Sequence, residues 1–314
     1  MLLQNFPDYT RTDFNLDAPC PDSGWPNMII HARGASVLYP EHFGPLSIKC
    51  AFGGEESYKV NRREFSVDDS GYLIVNEGSR YSSTITAERA VETFCIFFNY
   101  PFVERVLTSI VVPSDKLMDN HDLMHGGIPK FMEKPYRHDR VITPLLQEMR
   151  SHTRQIRVTD EWIEDRFNDL LIQMMRMHRD VCRTIQRLPS VRTTTRIEIY
   201  RRLEISREFI DDNLAEQISL ADMARTACLS PHHFLRLFKH AFQETPHQYL
   251  TRKRLEWAQD LLTSTERSIT DICVSIGFES LGSFSWLFRR RFGASPDLFR
   301  RRAITGSLGS AVYG

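Results

Sequence analysis

Two short runs of hydrogen-bond donors carry the clearest chemistry in this chain. His232, Arg236, Lys239 and His240 fall within nine residues, and Ser283, Trp286, Arg289 and Arg290 fall within eight, about fifty positions later. Arginine and lysine supply fixed positive charge and only donors; the indole supplies one N–H, and each imidazole one further donor and one acceptor. Such groups grip anions, and a guanidinium fork holds two acceptors at once, as a phosphate or a guanine edge presents them. On charge alone a solvated helix face explains the same residues, so the elements that carry them must decide.

Those elements are a repeat. Setting 230-SPHHFLRLFKHAFQETP-246 beneath 280-SLGSFSWLFRRRFGASP-296 pairs Ser230 with Ser280, Phe234 with Phe284, Leu237 with Leu287, Phe238 with Phe288, Phe242 with Phe292 and Pro246 with Pro296. The apolar positions make one helical stripe in both copies. Ser230 and Ser280 are placed as N-caps, with Pro231 in the first turn. Upstream, 219-SLADMARTACLS-230 aligns with 268-SITDICVSIGFES-280 once the second turn is allowed one extra residue, and both open on the Ser-x-x-Asp of a capping box. Each copy is therefore a short helix, a tight turn and a second helix: a helix-turn-helix, twice. Between them 246-PHQYLTRKRLEWAQDLL-262 forms one helix whose apolar arc, containing Leu250, Leu255, Trp257, Ala258, Leu261 and Leu262, is wide enough to be packed by both halves.

This pattern resembles the DNA-binding domain of the AraC/XylS family. The resemblance rests on the Arg254-Leu255 pair of the central helix, the Gly277-Phe278 turn and the closing Phe-Gly-x-Ser-Pro at 292–296, and it covers about residues 200–303. It implies a sequence-specific regulator of transcription whose partner is double-stranded DNA. In a helix-turn-helix the first turns of the second helix reach base edges and later basic residues find phosphates. Arg236 and His232 are then the base readers of the first copy, and Lys239 and His240 its phosphate contacts. In the second copy Ser283 and Trp286 face bases and Arg289 and Arg290 clamp phosphate. Arg291 corresponds to Ala241 and turns partly toward the protein. The family often has arginine where Trp286 stands, and an indole cannot make the bidentate guanine contact, so the first copy should discriminate bases more sharply.

The rest of the chain has a different texture. The 314 residues suit two domains, and 41% hydrophobic with 25% charged residues describes an ordinary globular chain. The formal net charge is zero, but residues 228–314 hold 12 Lys and Arg against 7 Asp and Glu, which points to an anionic partner for that end. No signal pattern and no run of 18 apolar residues occurs, so no membrane span is expected and a cytoplasmic location is. Cys20, Cys50, Cys95, Cys182, Cys228 and Cys273 lie far apart without a C-x-x-C and are expected to be reduced thiols.

Residues 27–98 read as strands, in segments such as 46-LSIKCAFGG-54, 71-GYLIVNEG-78, 80-RYSSTIT-86 and 91-VETFCIFFN-99, bounded by turn residues. Helices follow at about 101–110, 138–156 and 160–186. The expected fold is α+β in two domains. Residues 1–187 form a small β-barrel or cupin-like sandwich with two following helices, 188–196 a linker, 197–303 the all-α double helix-turn-helix, and 304–314 a flexible tail. Within it lie a first helix-turn-helix at about 219–242, the central helix at 246–263 and a second helix-turn-helix at about 268–292. The first domain resembles the regulatory domains such regulators often carry. That resemblance implies a small-molecule effector held near Tyr58, Asn76, Tyr81 and Phe97, a homodimer formed through 138–186, and contact with RNA polymerase if the protein activates. Core packing accounts for those aromatic residues equally well.

A cupin-type metal enzyme carrying an accessory DNA-binding domain is the alternative. No H-x-H pair occurs, His31, His42, His121, His125, His138, His152 and His178 are scattered, and 126-GGIP-129 interrupts any helix that would converge His121 and His125. No G-x-S-x-G, Walker loop or G-x-G-x-x-G is present. No catalytic residue, metal or cofactor is assigned.

Overall fold

The computed structural model describes residues 1–7, 26–110, 124–125, 128–155, 158–190 and 192–302. Cys20, His121 and the tail expected at 304–314 lie outside the described residues. The chain divides into two units, Met1–Cys182 and Arg183–Gly314.

The first unit is an antiparallel sheet with helices on one face. Its strands are β1 (Leu2–Leu3), β2 (Met28–Gly44), β3 (Ser47–Phe52), β4 (Glu56–Val60), β5 (Arg63–Val67), β6 (Gly71–Val75) and β7 (Ser79–Phe97), then the short β8 (Met124–His125), β9 (Ile128–Pro129) and β10 (Pro135–Arg137). The large sheet runs β1-β2-β7-β3-β6-β10, with the β4–β5 hairpin also paired to β7. These pairings make an open path and not the closed ring of a barrel. β1 against β2 is the parallel pairing; the others are antiparallel.

The sequence suggests separate strands at 80–86 and 91–99, yet β7 is continuous. Its two halves pair with the two halves of β2 on either side of a register shift between Gly34 and Ser36, and the exposed residues 86–90 cross between them. Central strands alternate between two interiors because successive side chains point to opposite faces. Ile48, Cys50, Phe94 and Ile96 face helices α1 (Tyr100–Ile110), α2 (Ile142–Gln155) and α3 (Asp160–Gln186), where Phe98, Phe102, Met149, Phe167 and Met174 complete one core. Ala51, Tyr58, Val75, Tyr81 and Val91 make a second core on the opposite face. α2 starts later than periodicity suggests because Asp139 caps it: its Oδ1 accepts from the Val141 and Ile142 N–H groups, both at 2.6 Å. Glu92 ties α2 to the sheet, accepting from Arg150 at 2.6 Å and His31 at 2.8 Å, and pairing with Arg154 as well. Although burial pushes its carboxyl up, the hydrogen bonds from Arg150, His31 and Arg33 prevail and hold it well below the usual carboxylate range.

Among the described residues the second unit is built of helices: α4 (Thr193–Asp212), α5 (Leu220–Thr226), α6 (Pro231–Phe242), α7 (Pro246–Ser264), α8 (Ile269–Ser275) and α9 (Leu281–Phe292), with 296–302 also helical. α4 begins inside the stretch read as linker. The proline that suggests an irregular segment, Pro189, precedes the helix, and the periodic apolar positions Tyr200, Leu203 and Ile210 anchor it from within.

Candidate nucleic-acid interface

α5–α6 and α8–α9 are the two helix-turn-helix pairs, and local chemistry fixes their ends. Ser219 and Asp222 form the reciprocal capping box. Ser268 accepts from the Asp271 N–H at 3.0 Å and donates its hydroxyl to that carboxylate at 2.7 Å. Ser280 accepts from the Ser283 N–H at 3.3 Å. Ser230 occupies the N-cap of α6 but its side chain makes no capping bond. Pro231 at N1 brings no N–H, and the exposed start of α6 leaves the next donors to water. The central helix has a cap that the repeat alone did not suggest, a box between Thr245 and Gln248.

The second helices end alike, each in the left-handed region, at Gln243 (φ 60°) and at Gly293 (φ 75°). The tight turns also match: Cys228 at φ 52° stands where the second copy has Gly277 at φ 82°. A Cβ on Gly277 would lie 2.7 Å from the Ala215 carbonyl oxygen and 2.7 Å from Arg254 Nη2, so glycine is required there by space as well as by backbone. Cys228 is exposed. Cys228→Gly is therefore expected to stabilise the second unit by about 0.5–1 kcal/mol, measured by urea denaturation, because it relieves the left-handed strain and loses no packing.

The core stripes pack as the repeat implies. Phe234, Phe238 and Phe242 contact edge to face at centroid distances of 5.4 and 4.6 Å. Phe284, Phe288 and Phe292 are spaced at 5.7 and 4.5 Å. The repeat continues into the following helices: Phe238 meets Tyr249 at 5.9 Å and Phe288 meets Phe299 at 5.5 Å. With those stripes buried, the other face of each helix is presented to solvent. His232, Arg236, Lys239, His240, Ser283, Trp286, Arg289 and Arg290 are all exposed. Trp286 is 60% exposed, and the Arg290 guanidinium lies 5.3 Å from its ring centroid. Arg291, though exposed, pairs with Glu256 of α7 at 2.7 Å, which leaves Arg289 and Arg290 as the charges of that run without an ion pair among the described residues.

Arg254 of α7 joins the two copies. It is 8% exposed, and its guanidinium donates to the Leu214 carbonyl at 2.7 Å, the Glu216 carbonyl at 2.6 Å and the Gly277 carbonyl at 2.8 Å. Gln217 reaches the same Gly277 carbonyl at 3.0 Å. The segment entering the first helix-turn-helix and the turn of the second are thus held by one side chain. Leu255, Ala258 and Leu262 of α7 pack with Phe284 and Phe288 in the second copy, and Tyr249 at its other end packs with Phe238 of the first.

In the first unit, Tyr58, Tyr81 and Phe97 line one cavity. Asn76 does not. Its side chain donates to the Phe131 carbonyl at 3.0 Å and accepts from the Phe131 N–H at 2.7 Å, a backbone staple. Lys49 and Glu56, which residue type alone does not single out, line the same cavity. The available signal was a lone lysine inside the apolar run 46–52. Among the described residues no group of three or more His, Cys, Asp and Glu is placed to hold a metal, and no helix is long and apolar enough to cross a membrane.

A helix-turn-helix domain family matches residues 223–302. The chain is 37% identical over 92 residues to the probable transcriptional regulator LumQ of Photobacterium leiognathi, a match covering 29% of this chain and 37% of that protein. It is 32% identical over 95 residues to the regulatory protein SoxS of Salmonella typhimurium, covering 30% of this chain and 89% of that protein. To the melibiose operon regulatory protein of Escherichia coli it is 23% identical over 283 residues, 89% of each chain. The matched segment spans little more than a third of LumQ's length. With its paired helix-turn-helix elements and with SoxS matched over nearly its whole length, the chain belongs to the AraC/XylS family of transcriptional regulators.

Proposed function

We propose that this chain is a sequence-specific regulator that lays α6 and α9 in two successive major-groove segments of double-stranded DNA. The observation that carries the reading is the pairing of two phenylalanine-anchored second helices whose opposite faces expose the eight polar and basic residues named above. Arg236 and His232 read bases, Ser283 and Trp286 touch base edges less selectively, and Lys239, His240, Arg289 and Arg290 hold phosphates. Residues 197–303 form the DNA-binding domain, joined by 188–196 to residues 1–187, a cupin-like domain that binds a small-molecule effector in its interior. α2 and α3 pair two copies into a homodimer, RNA polymerase is the further partner if the regulator activates, and the protein works in the cytoplasm. The metal-enzyme alternative has no observation in its favour.

The electrostatic part is tested with the full chain. Each neutralised phosphate adds about 0.9 to the slope of log K against log salt concentration. Replacing Arg289 and Arg290 together with alanine should flatten the slope by nearly two, equally on all sequences, because phosphate carries no base information. An unchanged slope would remove the clamp from the proposal.

A further inference from the structure

The interior of the N-terminal sheet holds a cavity of about 50 Å³ with a buried lysine in its wall. Lys49 is 1% exposed. Its ammonium donates to Tyr81 Oη at 3.1 Å and lies 3.7 Å from the centroid of the Phe97 ring, with the Tyr81 ring at 4.6 Å. An ammonium has three N–H donors. Among the described residues no carboxylate comes within ion-pairing distance of Lys49, and the Tyr81 hydroxyl is the acceptor it reaches. Glu56, 2% exposed, lines the same cavity and is occupied by its own donors: Thr93 Oγ1 at 2.7 Å, with Tyr58 and Ser83 beside it. Of the lysine and the carboxylate in the cavity wall, Lys49 is thus the one that keeps further N–H donors to offer. Burial pushes its amine down to about 8, the cost of enclosing an ammonium beside apolar side chains.

Charge and size narrow the ligand. A buried cation is stabilised by one facing anion that also fills its hydrogen bonds. A second cation would be repelled, and a polyol would need several unoccupied polar partners, whereas Glu56 already faces three donors. Met28, Ile30 and Phe97 supply an apolar part of the wall beside Lys49. A water needs about 10–15 Å³ on this measure, so the cavity takes a head group and only a few carbons. We infer that the cavity binds a small aliphatic monocarboxylate, with its oxygens on Lys49 Nζ and its hydrocarbon body against Met28, Ile30 and Phe97. This rests on the reading that the N-terminal cavity is the effector site, and it adds the ligand's chemical class.

Titration calorimetry on the full chain tests it, with the straight-chain carboxylates from acetate to hexanoate and with 1-butanol and butylamine as isosteric controls. At least one of the shorter carboxylates should bind, and butanol and butylamine at least tenfold more weakly than butyrate. Lys49→Met should weaken carboxylate binding at least tenfold, since it keeps the side-chain volume and removes the charge, a change that buried sites tolerate. Glu56→Gln should bind butyrate at least as tightly as the parent chain, because it removes the like charge facing the ligand. If no carboxylate of the series binds, if butanol matches butyrate, or if Lys49→Met binds unchanged, the inference is overturned. Should Lys49→Met fail to fold, the acid, alcohol and amine comparison on the parent chain decides alone. DNA affinity measured with and without saturating carboxylate separates the two levels. An unchanged DNA affinity beside intact carboxylate binding would refute effector control and leave the ligand class standing.

Discussion

Arg254→Ala is expected to destabilise the helical unit by about 3–5 kcal/mol and to release the second helix-turn-helix from the first. The substitution strips a charged donor from the Leu214, Glu216 and Gly277 carbonyls, and its site is too enclosed for water to replace a planar fork in full. Charge-assisted hydrogen bonds contribute about 1.5–3 kcal/mol each, and bonds within one network do not add in full. Arg254→Lys should recover little, because a single ammonium cannot span three carbonyls aimed at different nitrogens. Hydrogen exchange followed by mass spectrometry gives the readout: protection should fall at peptides covering 214–217 and 275–279 before it falls in α6. A loss of under 1 kcal/mol with unchanged exchange at the Gly277 turn would mean that the hydrophobic contacts of α7 alone set the spacing of the two copies.

Arg236→Ala should cost about 1–3 kcal/mol of DNA affinity and relax preference at one or two positions of the half-site. Trp286→Ala should lower affinity while leaving sequence preference nearly unchanged. The asymmetry follows from the groups themselves: Arg236 offers a fork that matches guanine O6 and N7, whereas an indole has one N–H and no acceptor. The 60% exposure of Trp286 means its ring is available to thymine methyls or sugar edges, and Arg290 packs over that ring, so loss of the indole should also loosen a phosphate contact. Trp286→Arg is then expected to create a new guanine preference in the second half-site. Selection of bound sites from random DNA measures all three variants. A second half-site that proves the sharper one, and that loses its preference with Trp286→Ala, would reverse the assignment of readers.

Most of the helical unit was legible in the sequence because its determinants are local. Helical periodicity put Phe234, Phe238, Phe284 and Phe288 on one face, and the Ser-x-x-Asp boxes and the Gly277-Phe278 turn marked the ends. The fifty-residue offset then showed the same unit twice. The exposed donors follow from the same periodicity, since burying one stripe leaves the opposite one in water. Even here one local reading differed: Ser230 is placed as a cap, but an exposed helix start beginning with proline makes no use of its hydroxyl.

The N-terminal unit was less legible because its contacts join residues far apart in the chain. Whether 80–86 and 91–99 are two strands or one depends on β2, and the polar stretch between them looks like a turn until β2 pairs with both halves. Asn76 looked like a ligand contact by residue type, and only its bonds to Phe131, 55 positions away, give it a structural role. Lys49 and Glu56 came together only when β3, β4 and β7 enclosed a common interior. Arg254 is the counterpart in the helical unit: the sequence placed it on the central helix, but its hydrogen bonds run to Leu214, 40 positions upstream, and Gly277, 23 downstream. Caps, turns and helix faces are set by neighbours within about one turn, and the sequence by itself determined those. Sheet pairing, the buried charge in the cavity and the tie between the two helix-turn-helix copies depend on which distant segments come to share one dry space, and only the tertiary structure decided them.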